Sequence, residues 1–423
     1  MTQPGPNPLA AGEHNIPVDE ARAAIAAALR PIEGTQTLPL AQAAGRVLAA
    51  DVISPIDVPA HDNSAMDGYA FDGAQLAAGA PTVLRSVATV YAGAPFAGTA
   101  ARGECVRIMT GAVMPAGLDT VVPIELCKAD GDQVRIEPGV MCAGENRRKQ
   151  GEDLTKGKPA LRAGRVLRAA DIGLVASLGF VQVQVKRALR VALFSTGDEI
   201  VAPGQPLPSG CIYDSNRFAL AAALQRLGME VVDLGLVRDD RAALAATLNQ
   251  AIEQADVVLT SGGVSAGDAD YTRDVLSALG DVTFWKVAMR PGRPFAFGPL
   301  NGAGGKRSWL FGLPGNPVAA LVTFYVLARE ALLQLAGAAP EPLPVLSARS
   351  VAAIRKRPGR TEYQRGIVGR AEDGQWHVRL TGSQGAGVLR SMSEANALVV
   401  LRHAQGSVAA GETVDVMVFD GLT

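Results

Sequence analysis

The chain is poor in the residues that mark the commoner cofactor and scaffold chemistries. Only four cysteines (Cys105, Cys127, Cys142 and Cys211) and four histidines occur in 423 residues. The cysteines are scattered, with no C-x-x-C spacing. That argues against a disulfide framework or a structural zinc site and makes reduced thiols the expectation. No H-E-x-x-H is present, so a histidine-built metal centre is set aside. Neither sign of charge is in excess, since 40 basic residues face 41 acidic ones. Bulk charge gives no grip on a nucleic-acid backbone, and no nucleic-acid partner is expected. The opening "MTQPGPNPLAAGEHN" has Pro and Gly where a signal peptide would have a basic start and an apolar run. No uninterrupted apolar stretch reads as long enough to cross a bilayer. A cytoplasmic protein without a membrane partner is the expectation.

Several catalytic signatures are missing as well. "LNGAGGKRS" contains Gly-Lys, but the spacing and the residue after Lys306 do not make a P-loop, and a hairpin between two strands is the better reading. No G-x-G-x-x-G follows the first strand of the central region, which weakens a dinucleotide site. No G-x-S-x-G elbow points to a serine hydrolase.

What is present is a folded, multidomain chain. Hydrophobic residues make up 48% and charged residues 19%, a balance that fits packed cores and not disorder. A chain of this length divides into two to four domains. After a loose leader, "PVDEARAAIAAALRP" reads as a helix stopped by Pro31. From residue 38 to about 165, short apolar runs are punctuated by Gly and Pro, the pattern of a strand-rich region. "DIGLVASLGF" is a short helix and "VQVQVK" a strand. From Arg190 the rhythm changes to strands alternating with helices: "RVALFS", "SNRFALAAALQRLG", "EVVDLGLV", "RAALAATLNQAIEQ", "DVVLTS", "TRDVLSALG". Strands "VTFWKVAM", "FAFGPL" and "SWLFGL" follow, then one long helix from Pro317. This predicts a mainly parallel sheet covered on both faces. The Pro-rich 338–344 is a linker, and the short strands beyond it predict a small β-domain or barrel, with "EDG" as a hairpin turn. The fold class is therefore multidomain α/β plus β: a three-layer αβα domain, a strand-rich N-terminal region and a C-terminal β-barrel-like domain.

Ligands in such sheets bind beyond the carboxyl ends of the strands. There the sequence places "STGDEI", with Asp198 and Glu199, and the Gly-rich "TSGGVSAGDADYT", whose glycines permit close backbone approach to an oxyanion. Asp239 follows the second strand. "WKVAMRPGRPFAF" supplies Lys286, Arg290 and Arg293, and "GLPGNPVAA" opens the last helix. Each piece has a plain structural reading too: glycines shape βα turns, Asp239 caps a helix, and arginines are solvated. Together their mixed sign is informative. Cations and amides hold an oxyanion, while carboxylates hold Mg²⁺ that bridges to it. One further stretch, "HDNSAMDGYAF", sets Asp62, Asp67 and Asp72 in a turn-like loop of small residues.

The strings "DVISPIDVPAHDNSAMDGYAF", "RIMTGAVMP", "QGEDL", "VALFSTGDEI", "YDSN", "SGGVSAGDADYT", "FWKVAMRPGRPFAFG" and "GLPGNPVAA" occur in order. In them the chain closely resembles the MoeA-type molybdopterin molybdenumtransferase family, which includes the gephyrin E domain. The resemblance implies that adenylated molybdopterin and molybdate react, with Mg²⁺, to give molybdenum cofactor and AMP. It implies a homodimer whose active site is shared across the interface, with transient contacts to a molybdopterin adenylyltransferase and to acceptor molybdoenzymes. It also implies four segments: a linker and dimerisation domain (1–56 with 155–187), an inserted β-rich domain (57–154), the molybdopterin-binding domain (188–338) and the barrel (339–423).

Carried over by motif, Asp67, Thr110, Asp153, Glu199, Asp239 and Asp270 fall on family functional positions, with Asp67, Glu199 and Asp239 placing Mg²⁺ or the attacking water. Substrate contacts are expected from Ser195, Thr196 and Gly197 after the first strand. The Gly-rich loop adds Ser261, Gly262, Gly263, Ser265, Gly267 and Asp268. Lys286, Arg290 and Arg293 are expected on molybdate and phosphate, and Pro314, Gly315, Asn316 and Pro317 at the last helix. Asp62 and Asp72 are read as structural. Arg290 and Arg293 stand where some members have Lys, and Ala319 where some have Ser. Two other functions remain open at this point: a molybdopterin adenylyltransferase built on the αβα domain, and a non-catalytic molybdopterin-binding scaffold. Tungstate and molybdate share charge and shape and are not separated by sequence.

Overall fold

The computed structural model describes residues 15–263 and 270–419, without the side chains of Asp270 and Tyr271. The chain divides into two compact units. One holds the residues up to Ala49, Gly164–Arg168 and everything from Gln182 onward. The other holds Ala50–Ala163 and Ala169–Val181.

In the first unit the leading helix α1 (Val18–Ala28) follows Pro17 and carries Asp19 and Glu20 in its first turn, where the helix dipole favours acids. Ala21 and Ile25, four residues apart, are both buried, and Leu29 continues the same face beyond the helix end. The second unit is built on a six-stranded sheet. Its order is Thr120–Pro123, Gly68–Phe71, Glu104–Ile108, Thr82–Val90, Gln133–Ile136, Cys127–Asp130. Gly68–Phe71 is buried throughout, with Tyr69 and Phe71 packed into one apolar cluster and Ala70 into another. That strand leaves the Asp62–Asp67 turn directly, so a rigid element anchors the turn. Helix α2 (Ala169–Ser177) belongs to the same unit.

The αβα domain of the first unit runs β1 (Arg190–Thr196), α3 (Asn216–Arg226), β2 (Glu230–Val237), α4 (Arg241–Gln254), β3 (Val257–Ser261), α5 (Asp270–Leu279), β4 (Thr283–Lys286), β5 (Pro294–Asn301), β6 (Arg307–Leu313) and α6 (Pro317–Thr323). The sheet order is β2-β1-β3-β6-β5-β4, with the first four strands parallel and the last two antiparallel. Alternate side chains feed two cores. Val191 and Leu193 pack with α1, α3 and α6, whereas Ala192 and Phe194 pack with α4 and α5. That is the three-layer arrangement expected from sequence. Strand order reverses at β1, so the crevice between the ends of β1 and β3 is the ligand position for such a sheet.

Strands Thr361–Arg370, Trp376–Leu380, Val345–Ser350, Thr413–Val418 and Ala397–Leu401 follow one another around a closed five-stranded barrel. "VTFWKVAM" departs from the single strand expected. β4 ends at Lys286, and Met289–Arg290 leaves the sheet to pair in parallel with Thr361–Glu362 of the barrel. Gly292 makes the sharp turn possible: its φ is 95°, and a Cβ there would lie 2.2 Å from Thr323 Oγ1. The last helix also differs from expectation. After α6 it passes through a π-helical stretch, Phe324–Ala328, before Arg329–Leu335. Pro317–Leu335 is 19 residues with mean hydropathy 1.6, long and apolar enough by length and composition to span, although Arg329 and Glu330 interrupt the apolar run. Its apolarity has a local reason, because 72% of that window is buried inside the protein.

Candidate functional site

The turn around Asp67 is held by its neighbours on every side. Ser64 N donates to Ala112 O, Gly111 N donates to Ser64 O, and Ala65 N donates to Asn146 O. Ser64 Oγ closes the turn onto Met66 O at 2.6 Å. The Asp67 carboxylate accepts from both Thr110 N (2.6 Å) and Thr110 Oγ1 (2.8 Å). Those two donors, helped by the charge of Arg107, hold it below the usual carboxylate range. Asp67 is thus exposed, ionised and oriented without a cation on it. Its two companions are structural: Asp62 takes Gln150 N at 2.8 Å and faces Arg147 at 3.6 Å, and Asp72 caps a short 3-10 turn through Ala74 N. Asp153 is exposed, and its backbone N–H binds Val58 O.

In the αβα domain the loops after β1, β2, β3 and β6 converge. Thr196 Oγ1 donates to Asp239 Oδ1 at 3.1 Å, and Asp239 N donates to Asp198 Oδ1 at 3.2 Å. The helix cap on α4 is Asp240, not Asp239: its carboxylate accepts from Ala242 N and Ala243 N. Asp239 instead turns its carboxylate to Thr196, at the end of β1. Glu199 is exposed and lies over Gly197, where a Cβ would sit 2.6 Å from Glu199 Oε2. Gly262 (φ 96°) brings its backbone so close to the β1 loop that a Cβ would lie 2.5 Å from Thr196 O. Ser195 and Ser261 are fully buried, and their hydroxyls are engaged inside the protein by Asp214 and Asn216. Asn316 precedes Pro317, the first residue of α6, with Pro314 and Gly315 leading into the turn.

The three expected cations do not share one environment. Lys286 and Arg290 are exposed, and Arg293 donates through Nε to Asn15 Oδ1 at 3.0 Å. Arg293 lines a cavity of about 380 Å³ with Arg357 and Arg360. The charge of Arg290 instead acts on Arg365, a residue the sequence reading passed over. Arg365 is 1% exposed, binds Ser391 Oγ through Nε at 3.0 Å, and donates through Nη2 to the carbonyls of Ser383 and Gly385. Among the described residues it has no ion-pair partner. Burial, and then the charge of Arg290, push the guanidinium down to about 10. The one signal in sequence was an arginine in the middle of the strand "EYQRGIV", where burial on the barrel wall calls for apolar residues.

Among the described residues no group of three or more His, Cys, Asp or Glu side chains is preformed as a metal cage. Mg²⁺ needs no such cage, since one or two carboxylates with substrate phosphates suffice; Glu199 and Asp239 are the carboxylates that would supply them. Ser265, Gly267 and Asp268 lie outside the described residues, as does the side chain of Asp270.

Three family models cover most of the chain: the MoeA N-terminal region (domain I and II) over residues 16–179, a probable molybdopterin binding domain over 192–334, and the MoeA C-terminal region (domain IV) over 347–419. A molybdopterin molybdenumtransferase of Haemophilus influenzae is 42% identical over 409 residues, 96% of this chain and 99% of that one. One from Nostoc is 38% identical over 391 residues, 91% and 89% of the two chains. The crystal structure of a molybdopterin biosynthesis moeA protein from Pyrococcus horikoshii superimposes with a TM-score of 0.79 at 27% identity. It covers 96% of this chain and all of that one.

Proposed function

We propose, from the premise that this chain belongs to the MoeA family of molybdopterin molybdenumtransferases, that it inserts molybdate into adenylated molybdopterin and releases AMP. It is an enzyme of molybdenum cofactor biosynthesis. The observation that carries the reading of the site is Arg365. A buried guanidinium with only neutral acceptors, beside a second arginine, is a strong demand for an anion.

Both substrates are anionic, so the site has to offset their repulsion. Arg365 and Arg290 would take the tetrahedral molybdate, with Lys286 on a phosphate oxygen. Backbone amides of the loops after β1 and β3 would cradle the pyrophosphate bridge of the adenylated pterin. Two changes then occur: the dithiolene sulfurs replace oxygens on molybdenum, which leave as water with protons from the thiols and solvent, and a water molecule hydrolyses the adenylate link to release AMP. Glu199 and Asp239 would orient that water, and they would also hold Mg²⁺, which neutralises phosphate charge when bound. Asp67, already ionised, is assigned to the same chemistry, reaching the cleft of a partner subunit in a homodimer. Thr110 fixes its direction. Asp153 joins this set on family position alone. Arg293 is assigned to an outer anion contact, in keeping with its separate surroundings. A cytoplasmic location, with hand-over from a molybdopterin adenylyltransferase and to acceptor molybdoenzymes, completes the proposal.

The test is reconstitution. Protein given adenylated molybdopterin, Mg²⁺ and molybdate should yield cofactor that activates a molybdenum-free apo-molybdoenzyme. Pterin binding without activation would favour a scaffold. ATP-dependent formation of adenylated pterin from molybdopterin would favour an adenylyltransferase.

A further inference from the structure

The "YDSN" turn, residues 213–216, has no role in the chemistry above, yet its side chains reach three of the four strand-end loops. Asp214 accepts from Ser195 Oγ at 3.1 Å, which ties the end of β1, where its loop begins. The same carboxylate accepts from Arg217 N at 3.1 Å and Arg217 Nε at 2.8 Å, which fixes it to the start of α3. Asn216 spends both protons of one amide nitrogen on the other two loops: Nδ2 donates to Ser261 Oγ at 2.7 Å and to Gly315 O at 2.6 Å. Ser261 Oγ in turn sits 3.5 Å from Pro314 O. Asp214 and Asn216 are both buried.

We infer that Asp214 and Asn216 are positioning residues that clamp the three substrate loops into one rigid frame, and that Ser195 and Ser261 serve this clamp and do not touch the adenylated pterin. The chemistry needs such a frame, because oxyanion recognition by backbone amides depends on loops held to a fraction of an ångström. β-pairing holds Ser195 and Ser261 in the sheet but stops at the strand ends, so beyond them the three loops depend on side-chain contacts. A buried side-chain network costs least when every member is satisfied, and among the fully buried side-chain atoms of Asp214, Asn216, Ser195 and Ser261 none lacks a hydrogen-bond partner. The inference rests on the reading of these loops as the pterin site.

A double-mutant cycle tests it. Asn216→Ala, Ser261→Ala and the pair are compared with the wild type for affinity toward adenylated molybdopterin and for the molybdate concentration giving half-maximal AMP release. Each single variant should weaken pterin binding by about tenfold, the loss expected when one buried donor or acceptor is stranded. The pair should be no worse than Asn216→Ala, because both act through one contact. The molybdate half-saturation point should stay where it is. Additive losses would mean that Ser261 contacts the ligand directly, and wild-type affinity in Asn216→Ala would mean that no clamp exists. Either result overturns the inference. Asn216→Asp is the second variant, for use if the alanine fails to fold. It keeps the shape and lets Ser261 donate back, but sets a carboxylate against Gly315 O, so binding should still fall about tenfold; unchanged binding would also overturn the inference. A wild-type protein that binds no adenylated molybdopterin would instead sink the underlying reading of the site.

Discussion

Asp67 is an exposed carboxylate with two hydrogen bonds from Thr110, and it is held below its ordinary range. Arg365 is a buried guanidinium with only neutral acceptors, and it is pushed down to about 10. Folding favours the charged form in the first case and disfavours it in the second. For Asp67 the stabilisation is present above the usual carboxylate range and fades as pH falls through the lowered value. For Arg365 the cost is present at neutral pH, where the group is still protonated, and is relieved only as pH rises from about 10 toward the ordinary arginine value. Asp67 has its two donors within the protein, whereas Arg365 has neutral acceptors and, among the described residues, no ion-pair partner. Arg217 makes the contrast sharper. It is paired with Asp214 and Asp233, and its pKa is raised, the mark of a structural arginine.

The largest effect is expected where this contrast is broken on the acid side. Asp67→Asn keeps the volume and the turn but removes the charge, and AMP release should fall about 10³-fold with folding intact, as for a lost acid–base or metal-placing group. Circular dichroism and an AMP assay would check both halves. Arg365→Gln breaks the cation side. AMP release should drop about 10²-fold, the usual loss for one oxyanion donor. Molybdate should raise the melting temperature of the wild type and leave this variant unmoved. Thr110→Val sharpens the comparison by removing one of the two donors. The Asp67 pKa should climb toward the ordinary value, so the acid limb of the pH–rate profile shifts upward and the rate near pH 7 falls only a few-fold, on the order of one lost hydrogen bond. The smallest effect is on Asp240→Ala. It should lower stability by about 1 kcal/mol through loss of the α4 cap, with AMP release unchanged. A drop in AMP release would mean that Asp239 and Asp240 have been assigned in the wrong order.

Much of this was legible in sequence because local rules and tertiary structure agree. The αβα domain follows from helical and strand periods alternating after Arg190, and the linker at 338–344 from its prolines. The interruptions were not legible. Met289–Arg290 joins the barrel because of a partner strand more than seventy residues further on, which no local pattern reveals. Asp239 reads as a helix cap in sequence, and only the geometry shows that it is the Asp240 carboxylate that meets the free amides of α4. Ser195 and Ser261 are expected as substrate contacts from family position, and only the structure shows their hydroxyls bonded to Asp214 and Asn216. Arg365 was hidden among barrel strands far from the loops that drew notice. Charge was visible in the sequence, but burial was not.

The most direct measurement is AMP release from adenylated molybdopterin by the full chain with Mg²⁺, run with and without molybdate. The account predicts release that depends on molybdate in the wild type and is lost in Arg365→Gln. Release at the same rate without molybdate, or undiminished in Arg365→Gln, would contradict it.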